Sequence, residues 1–99
     1  MKIQLTDAAR VEFETVLSRY EENPPVFRIF VKGYSWGGPL FDVGLDGRRE
    51  SDYAEEFMNT YIVVDQFYMD KLEGFNVDYV KNFFNKGFSI RPFKYSARC

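Results

Sequence analysis

Pro24 and Pro25 constrain this chain more than any other pair of residues. Neither can continue a helix, and each pushes the residue before it away from helical geometry. A helical signal runs up to them and stops. Ala9, Phe13, Val16, Leu17 and Tyr20 recur on one helical face, with Glu12, Glu14, Arg19 and Glu21 on the other. Thr6 stands where an N-cap belongs, and Asp7 puts a negative charge in the first turn, where the helix dipole favours it. The spacing predicts a helix over 7–21, and the alternating "KIQL" at 2–5 predicts a short strand before it.

Beyond the prolines the pattern turns extended. "VFRIFVK", 26–32, is β-branched and aromatic and reads as a buried strand. A glycine-rich loop at 33–39 follows, and then "LFDVGLD", 40–46, alternates as a second strand. Gly44 inside it suggests a bulge or a close approach. After the polar "GRRESD", 47–52, the runs "YAEEFM" and "YIVVD" flank a hairpin turn at Asn59-Thr60. Asp65 is read as the cap of a short helix, "QFYMDKL", with Gly74 as its stop. "NVDYVKNFF" and "GFSIRPF" close the sequence as two strands turning at 85–87. The expected fold class is α+β, mainly β, as one domain over 1–99: one packed helix against a folded mixed sheet.

The totals narrow the function. Hydrophobic residues are 45% and aromatic residues 19%, so a chain of 99 residues can bury a modest core. The net charge of −2 argues against nucleic-acid binding. Charge is uneven, however: 79–99 holds Lys81, Lys86, Arg91, Lys94 and Arg98 and no acid. That segment reads either as a strand beside acidic neighbours or as a basic edge that meets an acidic partner. No signal peptide is expected, since Met1-Lys2 leads into a short alternating strand, and no membrane span, since the longest clean apolar runs, such as "YIVV", 61–64, are too short. One cysteine excludes an internal disulfide and fits a reducing cytoplasm. The absence of histidine removes the commonest general base and transition-metal ligand. Ser35 has nothing to activate it, Gly37-Gly38 lacks a phosphate-loop signature, and the chain is not expected to be an enzyme. Glu55-Glu56, or Asp42 with Asp46 and Asp52, could offer oxygen ligands, but without calcium-loop spacing they read as solvated faces.

Four segments in order resemble the HesB-like, or IscA-like, family of A-type iron–sulfur carriers. They are "IQLTDAAR", "FRIFVKGYSWGGPLFDVGLD", "YIVVDQFYMDKLEGFNVDYV" and "KGFSIRP". The resemblance implies a HesB-like buckled mixed sheet, or pseudobarrel, with one N-terminal helix and one short inserted helix. It implies a role in iron–sulfur cluster biogenesis among assembly or client proteins, often as a homodimer, with iron or an iron–sulfur cluster as the family's cargo. It also sets Trp36 where the family carries the first of three cysteines and Phe41 where it carries a tyrosine. "RPFKYSARC" stands where the C-terminal cysteine pair belongs, with Cys99 one residue out of register.

The usual three-cysteine site is therefore not expected here, and the chain reads as a binding or accessory module. Tyr34, Ser35, Trp36, Gly37 and Gly38 are the candidate binding residues. Trp36 either projects as a docking ring or folds back to plug the space a cluster would leave. Two further readings stay open. Cys99 could ligate iron or a cluster across a dimer, or the aromatic loop around Trp36 could hold a small ligand.

Overall fold

The computed structural model describes residues 2–20, 22–50, 52–65, 72–81 and 86–93. The elements are β1 (Lys2–Leu5), α1 (Asp7–Leu17), β2 (Val26–Ser35), β3 (Gly38–Asp46), β4 (Tyr53–Phe57), β5 (Thr60–Val64), β6 (Gly74–Lys81) and β7 (Lys86–Pro92). The strands form one seven-stranded sheet in the order β1-β6-β7-β3-β2-β5-β4. β1–β6 and β2–β5 pair in parallel and the rest antiparallel, so the sheet is mixed as expected.

α1 starts as its sequence dictates. The Thr6 hydroxyl accepts the Ala9 N–H at 3.1 Å, and Asp7 occupies the first turn. Ala9, Phe13 and Leu17 are buried. The helix ends at Leu17 rather than at residue 21. The N–H groups of Arg19 and Tyr20 bond three residues back, to Val16 and Leu17, and the Ser18 hydroxyl donates to the Thr15 carbonyl. This tightening turns the chain before the prolines are reached, and Tyr20 is left exposed.

Phe13 shows how the sheet curls. Its ring lies 4.3 Å from Phe27 of β2, 5.6 Å from Phe57 of β4 and 4.9 Å from Phe88 of β7, centroid to centroid. One helical residue thus touches strands from both halves of the sheet. A flat sheet could not offer that, so the sheet is buckled around α1 and nearly closed. Ile29, Phe75, Val77 and Val64 complete the core on its inner face.

Several local expectations change. Gly74 opens β6 opposite Lys2, where a Cβ would lie 2.0 Å from the Lys2 carbonyl oxygen. It is a close-approach glycine of a parallel pair and not a helix stop. The expected short helix over 66–72 falls on 66–71, outside the described residues. Gly44 pairs regularly with Arg28, and its missing side chain makes room for the Phe30 ring, 3.3 Å from an ideal Cβ. The bulge lies instead between Val31 and Gly33. The β4–β5 turn is Met58-Asn59, with Met58 at φ +54°, and Thr60 already belongs to β5.

Candidate functional site

The glycine-rich stretch is not an open loop. β2 runs through Ser35 and β3 begins at Gly38, so Trp36 and Gly37 alone make the turn. Gly38 follows at φ +114°, a conformation that L side chains rarely adopt. A left-handed glycine just after a tight turn is a common hairpin solution. The Ser35 hydroxyl closes the turn, accepting the Gly37 N–H at 3.2 Å and donating to the Gly38 carbonyl at 3.3 Å. Ser35, Gly37 and Gly38 therefore shape the tip.

Tyr34 and Trp36 are what the tip presents. Trp36 is fully exposed, at 107%, and Tyr34 is 76% exposed. This decides between the two orientations left open by the sequence: the ring points out. Among the described residues it plugs no hole. Phe41, at the position of the family's tyrosine, is buried and packs edge-on against Phe75 at 4.8 Å. Cys99 lies outside the described residues.

The other end of the same hairpin holds a site the sequence reading missed. Arg28, in the middle of β2, is 6% exposed. Its Nε donates to Asp46 at 2.6 Å, Nη1 and Nη2 donate to the two Asp52 oxygens at 2.8 and 2.7 Å, and Nη2 also donates to the Gly47 carbonyl at 2.9 Å. The Asp52 side chain is 2% exposed. The hydrogen bonds from Arg28 hold the Asp52 carboxyl below its ordinary range against the opposing effect of burial. Asp46 is lowered too, first by the Gly47 N–H and then by Arg28. Asp46 and Asp52 thus surround a guanidinium and not a metal ion. The signal was present in "VFRIF": a charged residue inside an apolar strand must find buried partners.

Among the described residues, no three of His, Cys, Asp and Glu come together to hold a metal ion. Iron–sulfur clusters are held by cysteine thiolates, with histidine as an occasional substitute. The hairpin tip offers a hydroxyl, an indole, a phenol and glycines, which do not fit a cluster. Among the described residues the basic positions of this segment have no acid as their direct cross-strand partner. Lys81 pairs with Lys86 across β6–β7, and Arg91 pairs with Asn76. Asp78, two residues from Asn76 on β6, lines the same hollow as Arg91.

No family model matches the chain. A protein from Aquifex aeolicus (strain VF5) is 30% identical over 97 residues, covering 97% of this chain and 84% of its own length. The iron-sulfur cluster insertion protein ErpA of Shewanella halifaxensis (strain HAW-EB4) is 27% identical over 100 residues, covering 100% of this chain and 86% of its own. The crystal structure of IscA with a 2Fe–2S cluster shares the fold at a TM-score of 0.73 and 22% identity, covering 99% of this chain and 91% of that one. This chain belongs to the A-type iron–sulfur carrier family. The four segments that carried the resemblance therefore mark real kinship along the whole A-type scaffold. Within it, this member has one cysteine and no histidine in 99 residues, which fits the loss of the usual three-cysteine site. No helix among the described residues is long and apolar enough to cross a membrane.

Proposed function

We propose that this chain acts in iron–sulfur cluster biogenesis as an accessory or binding module, docking a partner protein through Tyr34 and Trp36. Assembly factors and client proteins are the partner class, since relatives are named for cluster insertion. The observation that carries this reading is the tip itself. The Ser35 hydroxyl ties the Gly37 N–H to the Gly38 carbonyl and Gly38 takes the positive φ of the turn, while the largest ring in the chain faces water. A rigid turn that holds out an indole and a phenol suits an interface anchor. The same features support a non-enzymatic role, because Ser35 is engaged in the turn and no histidine is available to activate it. The cytoplasm is the proposed compartment, on the basis of a single cysteine, which excludes an internal disulfide. A cluster shared by two copies through Cys99 would bring two thiols where four ligands are usual.

Two measurements test the proposal. After anaerobic reconstitution with iron and sulfide, neither wild type nor Cys99→Ser is expected to retain stoichiometric iron or a thiolate-to-iron absorption band. A band in wild type that Cys99→Ser abolishes would replace the accessory reading with a carrier that uses Cys99. Apo-ferredoxin serves as the probe client for docking. Binding is expected to be weakened at least about tenfold by Trp36→Ala, in the range of an aromatic anchor. Binding unchanged in that variant would reject the hairpin tip as the contact.

A further inference from the structure

Beside the hairpin tip the sheet comes apart. β3 and β7 share a single register pair, Phe41 with Ile90, whereas β2–β3 and β6–β7 pair along their lengths. Continuing the β3–β7 register toward the tip would set Pro39 opposite Pro92. Neither proline has an N–H to give, so the ladder cannot extend that way. The strands part and leave an open hollow of about 440 Å³.

The chemistry of its walls is one-sided. Lys32 and Arg91 contribute two exposed cations, Ser89 a hydroxyl, and Leu40 an apolar side chain that is 42% exposed; among the described residues no carboxylate lines it. Among the described residues neither Lys32 nor Arg91 is in an ion pair. Past Ser89 and Arg91 the surface continues into a second hollow of about 670 Å³ between Gln4, Asn76 and Asp78. Among the described residues its one carboxylate is Asp78, whose Oδ1 accepts the Thr6 hydroxyl and the Tyr79 N–H, each at 2.8 Å. The two hollows meet at Arg91 and form a shallow groove across β1, β6, β7 and β3.

We infer that this groove receives an acidic, extended segment of the partner protein. Its carboxylates lie against Lys32 and Arg91, and an apolar side chain lies against Leu40. The prolines that split the ladder also keep the segment from adding as a strand, so charge and side-chain contact supply the recognition. A small free anion would leave most of so long and open a surface unused. The inference rests on the docking role of the hairpin tip and gives that role a partner chemistry.

The test uses the full chain and a short synthetic peptide of glutamates interrupted by leucines, with a glutamine-for-glutamate version as control. Binding is read by the fluorescence of Trp36, the sole tryptophan, and by amide shifts along β7. The acidic peptide is expected to bind, more weakly as salt rises, and the glutamine version to bind at least about tenfold more weakly. Lys32→Glu and Arg91→Glu are each expected to weaken binding about tenfold or more, and Lys81→Glu, outside the groove, to leave it within about twofold. Arg91→Gln provides a second variant should the charge reversal disturb folding. No binding of the acidic peptide overturns the inference, as does equal binding of the glutamine version or indifference to both Arg91 variants. Should apo-ferredoxin docking still depend on Trp36 in any of those cases, the hairpin reading stands without an acidic partner.

Discussion

The two ends of the β2–β3 hairpin are built in opposite ways. At the open end Arg28 sits in the sheet with every hydrogen-bonding nitrogen engaged, by Asp46, the Gly47 carbonyl and Asp52. At the closed end Ser35 and Gly38 fix the turn, while Trp36 and Tyr34 touch little but solvent. One end spends its charged groups on the fold. The other holds its backbone still and leaves its side chains available. Stability and recognition are thus separated along a single pair of strands, and substitutions at the two ends should report on different properties.

The largest effect belongs to Arg28. Arg28→Ala would strand Asp52, whose side chain is 2% exposed, without its counter-charge. Breaking a buried pair by removing one partner costs about 3–5 kcal/mol. Urea unfolding should show that loss as a lower midpoint. A change below about 1 kcal/mol would mean that solvent reaches Asp52 and that the open end is no anchor.

Acid should attack the same end next. The folded-state values of Asp46 and Asp52 lie below their ordinary ones. Their stabilisation is therefore fully present above the unfolded carboxylate value of about 3.9 and lost as pH falls through the folded values. Stability should fall below about pH 4 in wild type. Asp52→Asn should be less stable at neutral pH by about 1.5–3 kcal/mol, the worth of hydrogen bonds to a charged group, and should show a flatter acid limb. An unchanged acid limb in that variant would move the pH dependence to other carboxylates.

Gly38→Ala probes the closed end through its backbone. At φ +114° a Cβ meets no neighbour within 4 Å, so the penalty is conformational and not steric crowding. It should be roughly 1–3 kcal/mol. If Gly38→Ala is neutral, the turn can relax, and Trp36 is not held in one direction.

The sequence made parts of this readable and left other parts closed, for definite reasons. Thr6, Asp7 and the 3.6-residue spacing act within a turn or two, so the start and the buried face of α1 could be read directly. The mixed sheet followed from strand runs together with family resemblance. Arg28 could be seen to need partners, but Asp46 and Asp52 lie 18 and 24 residues away, and the pairing of β2 with β3 and, through β5, with β4 brings them together. The glycines at 33–38 were read as a loop because glycine marks loops in general. Here Gly33 lies in β2 at the bulge and Gly38 in β3 beside the turn, a distinction that depends on register. Whether Trp36 faced in or out depended on that same turn, so composition could not decide it.

Trp36→Ala should have the smallest effect on stability and therefore sharpens the contrast most. An exposed side chain away from caps and buried networks usually changes stability by less than about 0.5 kcal/mol when truncated. At 107% exposure the indole removes almost no apolar surface from water in the free chain. Its hydrophobic value can be realised only when a partner covers it. Unfolding midpoints of wild type and Trp36→Ala should therefore coincide, while client binding should not. If Trp36→Ala instead destabilised the chain by more than about 1 kcal/mol, the ring would be packed in the free protein. The tip would then be a second structural anchor like Arg28, and the division of labour between the two ends of the hairpin would be lost.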